Sequence, residues 1–329
     1  MLSSMGAEVT AYDTSPVYTK PCGDALTLRP WLRRLAEEMD AVVTSVESVT
    51  IRVEGQVAEE IDFGGSVWYI IDKHSLVRRL REEASRLGAS IRRGRAEPPC
   101  RCRGECVCLD ARGPYAHSRA TWVFASRAIA RLSEPWNRGH ALIDFYPRRG
   151  GLYWVFPASD DGRLVNLGAG WLGEAPDKAL RDALRIARGE LGRLEVVDRR
   201  AAPIAVFSPI RPAGPSTIRL GEAGGFINSS AGEGNRPALE TARIAAQAVS
   251  RASGPDEAIR GYREGTRGLV SEMRASRIAL RLAVAAPSLF SRALRGMGRG
   301  FWEKYLRAEL SMGSAVRYLL LLPIALARG

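Results

Sequence analysis

Residues 218–249, IRLGEAGGFINSSAGEGNRPALETARIAAQAV, constrain the fold more than any other stretch of the chain. A short apolar run, residues 218–220, ends at Gly221 and passes into a glycine-rich turn. A helix is expected to start near Asn235, because Leu239, Ala242, Ala245/Ala246 and Val249 recur at helical spacing. Strand, turn and helix in this order aim backbone amides and a helix N-terminus at one place, where they suit an anionic group. Gly232 and Gly234 carry no Cβ, so a flat ring can lie against that backbone, while Ala242 and Ala246 keep one helix face small enough to pack on a sheet. The same pattern also serves an ordinary β–α connection that needs glycine for positive φ.

Elsewhere the chain reads as alternating strands and helices. A strand is expected at residues 9–12, following Gly6 and Ala7 and ending at Asp13. In a dinucleotide-binding unit this is the second strand, with its acid placed for ribose hydroxyls, and the glycine-rich first turn would lie upstream. A helix at 27–39, strands at 42–63 around Glu54-Gly55, and a strand–helix unit at 68–72 and 74–87 follow. Residues 141–146, 151–157 and 163–171 alternate or run apolar as an antiparallel sheet would. Period-two spacing puts Tyr153 and Val155 on one sheet face and Trp154 and Phe156 on the other. Rings in such a strand fill space between sheet and helices, or line a binding surface. Residues 176–191 form an amphipathic helix, and after Val249 the chain turns helical at 256–282, 287–297, 301–310 and 318–327.

Several of these segments resemble one flavoprotein family, that of para-hydroxybenzoate hydroxylase and the geranylgeranyl reductases. Gly221, Ala223, Gly225, Phe226, Gly232, Glu233 and Gly234 fall in register with its second FAD motif, although Glu222 replaces the usual aspartate and Ser229 the usual proline. The segment Lys20-Pro21-Cys22-Gly23 resembles the archaeal geranylgeranyl reductases, and Tyr153-Trp154-Val155-Phe156-Pro157 resembles their Tyr-x-Trp-x-Phe-Pro motif. Lys73 stands where the family carries an arginine, and Asp110 and Gly113 match its Ala-Asp-Gly signature loosely. The resemblance implies FAD held by Asp13, Lys20, Glu222, Ala223, Gly225, Gly232, Glu233, Gly234 and Asn235. It implies Cys22 beside the flavin ring as the catalytic candidate, and an isoprenoid substrate lined by Tyr153, Trp154, Phe156 and Pro157. A turn with an incidental buried thiol is the alternative, but Lys20 and a turn glycine flank Cys22 as they do at reactive-cysteine sites.

Charge and cysteines bound the partners. The net charge is +12, and the only lysines are Lys20, Lys73, Lys178 and Lys304. From Ile259 onward thirteen basic residues face four glutamates, a balance that suits an anionic membrane surface as well as a solvated arginine-rich face. No nucleic-acid-binding motif accompanies the charge. No secretory signal and no apolar run of about twenty residues is visible, so the expected place is the cytoplasm with peripheral membrane contact. Cys100, Cys102, Cys106 and Cys108 would share one side of a hairpin, open to two disulfides, a four-thiolate metal site or four free thiols. His74, His117 and His140 form no ligand or triad spacing.

The expectation is a mixed α/β fold. Residues 1–140 and 210–255 would bind FAD with the first βα unit missing, 141–209 would form an antiparallel substrate domain, and 256–329 would be helical. The expected activity is an FAD-dependent reductase saturating the C=C bonds of geranylgeranyl chains in archaeal-type membrane lipids, with no electron donor named by the sequence. The alternatives are a flavin monooxygenase or halogenase, and a non-catalytic lipid- or partner-binding descendant without FAD.

Overall fold

The computed structural model describes residues 1–15, 20–97, 106–118, 121–314 and 318. In chain order its strands are β1 (Thr10–Asp13), β2 (Ala25–Thr27), β3 (Val42–Val46), β4 (Ser48–Val53), β5 (Gln56–Asp62), β6 (Trp68–Ile71), β7 (Ser90–Arg93), β8 (Cys108–Asp110), β9 (Trp122–Leu132), β10 (His140–Tyr146), β11 (Gly151–Pro157), β12 (Leu164–Leu172), β13 (Leu194–Ala205) and β14 (Thr217–Arg219). The helices are α1 (Pro30–Glu38), α2 (Lys73–Arg86), α3 (Pro176–Leu191), α4 (Asn235–Arg251), α5 (Pro255–Gly265), α6 (Arg267–Ala285), α7 (Pro287–Gly296) and α8 (Arg299–Leu306).

A seven-stranded sheet in the order β13-β9-β12-β11-β10-β4-β5 forms the main wall. Its pairs are antiparallel except β10 with β4, which run parallel. The alternation of β11 sorts the core as the period of two requires. Tyr153 and Val155 join Leu167, Trp171 and the alanines of α3 on one face. Trp154 and Phe156 join Ile51, Phe145, Trp68 and Trp302 of α8 on the other. Ala179, Ala183 and Ala187 recur every four residues and are fully buried, so α3 lies close on the sheet without large side chains between them. The antiparallel domain expected at 141–209 therefore draws three strands, β4, β5 and β9, from the part of the chain assigned to nucleotide binding. The parallel β4–β10 pairing joins segments nearly a hundred residues apart, and no local pattern announces it.

Three smaller sheets adjoin it. β2, β6 and β3 form an antiparallel sheet covered by α1 and α2, with Leu26, Leu32, Tyr69, Ile71 and Leu76 in its core. Asp72 caps α2 by accepting the Ser75 amide at 3.0 Å. β1 pairs in parallel with β7, and β14 pairs in parallel with β8.

The organising stretch folds as its residues direct. β14 ends before Gly221, whose φ of 50° favours glycine. A Cβ there would stand 3.1 Å from Ala238 Cβ, so two small residues let the turn meet α4. The Gly221 amide donates to Thr241 Oγ1 at 2.9 Å, fastening strand end to helix. Ile218, Phe226, Ala245, Ile259, Tyr262 and Met273 then close a core between this unit and α5 and α6.

The helix expected over 256–282 is two helices. Thr266 is fully buried at the break, and its hydroxyl donates to Tyr262 O at 2.8 Å. A Cβ on Gly265 would lie 2.7 Å from Ile244, so the glycine lets α5 approach α4. Arg274, Arg277 and Arg281, which helical spacing would set on one basic face of α6, also divide. Arg277 turns inward to donate to Gly225 O at 3.0 Å, and burial holds its guanidinium down to about 10. Arg274 and Arg281 stay exposed. The helix expected at 318–327 lies almost wholly outside the described residues.

Cys106 and Cys108 are disulfide-bonded, which removes the free-thiol and metal readings for these two sulfurs. Cys100 and Cys102 lie outside the described residues.

Candidate functional site

A cavity of about 1980 Å³ runs between the sheets, well above the roughly 300–1,000 Å³ of ordinary small-molecule sites. Its wall takes the end of β1, the turn before α4, the segment from Lys20 to Ala25, and the inner face of β11.

The turn before α4 contributes Gly232, Glu233, Gly234 and Asn235 to the wall. Gly232 has φ 66°, which glycine adopts without strain. No side chain caps α4 at Gly234, so the first amides of this helix keep the unpaired character of a helix start. Asn235, the first helical residue, is a junction. Its Oδ1 accepts from Lys73 Nζ at 2.8 Å, and its Nδ2 donates to Cys22 Sγ at 3.4 Å and Ala25 O at 3.0 Å. Lys73, noted in the sequence only as a replacement for arginine, thus fixes the amide that faces Cys22.

Gly23 explains how the Cys22 segment reaches the sheet. A Cβ there would stand 2.9 Å from Phe156 Cε2 and 3.5 Å from Trp154 Nε1, so the bare backbone lies directly on the aromatic pair. Trp154 Nε1 donates to Asn166 Oδ1 of β12 at 3.2 Å. Asn166 Nδ2 donates in turn to Cys22 O at 2.9 Å and Asp24 Oδ2 at 3.2 Å. Asp24 has φ 60°, uncommon for a non-glycine residue, and Ile71 N donates to its carbonyl at 3.0 Å. Burial pushes its carboxyl up to about 6, against the pull of Lys73 and Arg127.

Glu222 lines the cavity with both oxygens engaged by protein: Oε1 accepts from Ala205 N at 2.7 Å and Oε2 pairs with Lys20 Nζ at 3.0 Å. His117 Nε2 lies 2.7 Å from the Glu222 carbonyl, which can only accept, so this nitrogen carries the proton. Asp13, at the end of β1, lines the cavity half-exposed and pairs with Arg81 at 2.8 Å.

Other candidates lie off the wall. Ala223 and Gly225 are buried in the turn beneath, where a Cβ on Gly225 would meet Pro209 O at 2.4 Å. They shape the turn and do not face the cavity. Tyr153 and Pro157 are also corrected: Tyr153 is fully buried on the α3 face of the sheet, and neither residue borders the cavity. Ala242, expected to pack on a sheet, lines the cavity instead.

Beneath the turn lies a charge cluster that sequence reading missed. Arg236 is 1% exposed and donates to Glu233 at 3.1 and 3.2 Å, to Glu240 at 2.8 Å and to Glu272 of α6. The guanidinium is held more firmly protonated by these acids. Glu272, sharing its partner with two other carboxylates, is pushed by burial up to about 7. Asp24 and Asn166 were legible in part, since Asp24 adjoins the Cys22 motif and Asn166 is a lone polar side chain in an apolar strand. Arg236 carried no such signal.

No protein-family profile matches the sequence, and no curated protein matches it. Solved structures do. A geranylgeranyl bacteriochlorophyll reductase-like protein of Thermoplasma acidophilum matches with a TM-score of 0.70 at 14% identity, over 99% of this chain and 93% of its own. The flavin-dependent brominase Bmp2 matches with a TM-score of 0.67 at 14% identity, over 98% of this chain and 94% of its own. The flavin-dependent halogenase CmlS matches with a TM-score of 0.64 at 16% identity, over 97% of this chain and 73% of its own. At these identities the likeness is one of fold, and the chain has the mixed α/β fold that these proteins share.

Proposed function

We propose that the chain is an FAD-dependent oxidoreductase that saturates C=C bonds of geranylgeranyl chains in membrane-lipid biosynthesis. One observation carries the reading: the Cys22-Gly23 segment, the Trp154/Phe156 pair and the turn before α4 converge on one cavity, through the contacts Gly23–Phe156 and Asn235–Cys22. The fold shared with flavin-dependent proteins supports the choice of cofactor.

The donor set suits FAD. Uncapped amides at the start of α4, with Gly232 and Gly234 presenting bare backbone, provide hydrogen bonds and a flat approach for a ring. Asp13 would meet the ribose hydroxyls, and Glu222 with Lys20 would hold the ribityl chain. Bound there, reduced flavin supplies hydride to an alkene. The protein holds the chain against Trp154 and Phe156, keeps Cys22 at the ring, and excludes water with an aromatic and aliphatic wall. A membrane-borne substrate agrees with residues 273–302, which contain six arginines and no acid. It also agrees with Ile278, Leu282, Val284 and Leu289, exposed beside them. Among the described residues no helix is long and apolar enough to cross a membrane, so contact with an anionic bilayer would be peripheral.

The test is the visible spectrum of the protein purified and then reconstituted with FAD. Flavin bands that survive gel filtration, and bleaching reversed anaerobically by a geranylgeranyl lipid, support the reading. Bands reversed only by oxygen with a phenolic or pyrrolic substrate and bromide would favour the halogenase alternative, and a colourless protein would leave a binding module.

A further inference from the structure

We infer that Asp24 is the acid that protonates the substrate carbon opposite the one receiving hydride. This rests on the reductase reading above. Saturation of an isolated alkene forms two C–H bonds. Two electrons arrive with hydride from the reduced flavin, and the second carbon takes a proton from an acid. The flavin is oxidised, the alkene is reduced, and the acid is left as its conjugate base until water reprotonates it.

Asp24 has the geometry for that role. It lines the cavity one residue from Gly23, which rests on the Trp154/Phe156 pair. Its Oδ2 is held by Asn166, and Asn166 is itself held by Trp154, so the carboxyl is oriented from the same residues proposed to line the alkene. Oδ1 has no hydrogen-bond partner among the described residues, which leaves it as the oxygen able to carry a proton toward the cavity. The left-handed backbone is a sparsely populated conformation, held by Ile71 N on the Asp24 carbonyl and Asn166 on the Cys22 carbonyl.

Cys22 is differently placed, with Asn235 donating an N–H into its sulfur while Lys73 fixes the amide. The thiol in turn donates toward Asn235 Oδ1 at 3.9 Å, so its proton is directed at that amide. The charged groups facing Asp24 are Lys73 and Asp72 at the start of α2 and Arg127 of β9; its hydrogen-bond partner Asn166 of β12 is neutral. Burial outweighs the two cations and keeps the carboxyl protonated up to about 6, while the cations and the Asn166 N–H stabilise the carboxylate formed after transfer.

The experiment compares wild type with Asp24→Asn and Asp24→Glu as FAD-loaded, pre-reduced protein. Anaerobic flavin reoxidation by a geranylgeranyl lipid is followed from about pH 5 to about pH 9. The expected wild-type rate falls about tenfold per pH unit above about 6, the protonated fraction of a group with that pKa. Asp24→Asn should lose roughly 100-fold or more, as removal of a general acid does, with FAD content unchanged and a flat profile. Asp24→Glu should recover part of the rate. Independently of turnover, 13C NMR of aspartate-labelled protein should show two carboxyls titrating near 6, Asp24 and Asp144, and Asp24→Asn should remove one of them. An active wild type with an equally active, equally pH-dependent Asp24→Asn overturns the acid and leaves the reductase reading intact. A flavin-loaded wild type inert toward isoprenoids overturns the reductase reading and the acid with it.

Discussion

Replacing Arg236 by methionine is the sharpest test of how the turn before α4 is held. The guanidinium is 1% exposed and is the shared partner of Glu233, Glu240 and Glu272. Methionine matches much of the volume but leaves three carboxylates facing one another with little water. Breaking a buried ion pair from one side costs about 3–5 kcal/mol, against the roughly 5–15 kcal/mol that holds a domain folded. At roughly 2–4 °C per kcal/mol for a larger domain, Tm should fall by about 6–20 °C. The loss should depend on pH in a definite sense. Burial raises the Glu272 carboxyl to about 7 from its usual 4.5. Its contribution is therefore complete below about 4.5 and lost as pH rises through about 7. Without Arg236 the acids lose their cation but can still take up protons, so the deficit should be largest near pH 8 and shrink near pH 5.5. Scanning calorimetry at about those two pH values, with Glu272→Gln as a control of weaker pH dependence, reads this directly. A variant as stable as wild type near pH 8, or one with the same deficit at both pH values, refutes the buried cluster as the clamp on the turn.

Three further outcomes follow from contacts in the site. Trp154→Phe removes the donor to buried Asn166 and should cost about 1–3 kcal/mol by leaving its Oδ1 unpaired; unchanged stability in urea unfolding would show that contact to be idle. Gly23→Ala should cost about 1–3 kcal/mol through a Cβ 2.9 Å from Phe156 Cε2. It should also slow alkene reduction more than FAD binding, and equal losses in both would contradict the packing account. Arg274→Glu with Arg281→Glu reverses two exposed charges in the acid-free stretch and should weaken co-sedimentation with anionic vesicles, while sedimentation unaffected by the pair, or by added salt, would remove the membrane face.

What the sequence disclosed was local. The glycines of 221–234, the start of α4 at Asn235 and the alternation along β11 are set by φ requirements and by side-chain period, and both act within a few residues. The convergence of these motifs is not local. Asp24 depends on Asn166, 142 residues away, and Cys22 on Asn235, 213 residues away. Their partners stand on β12 and at the start of α4, and only the assembled fold brings these to the segment before β2. Arg236 was invisible for a different reason. Arginine is almost always placed at the surface, and its burial here is completed by Glu272 from α6, packed behind the turn, beside its sequence neighbours Glu233 and Glu240. Tyr153 shows the converse error, since its motif suggested a shared role with Trp154 while the strand's period sends it to the opposite face.

In the proposed reaction, reduced FAD and an isoprenoid chain would meet in this cavity at Cys22, Trp154 and Phe156. Mass spectrometry of a geranylgeranyl lipid, incubated anaerobically with the FAD-loaded and chemically reduced protein, tests it most directly. Each reduced double bond should gain two hydrogens, both of them deuterium when reduction and reaction are run in D2O, because chemically reduced flavin draws its transferable hydrogen from solvent as the acid does. A lipid recovered at unchanged mass from protein that holds FAD would contradict it.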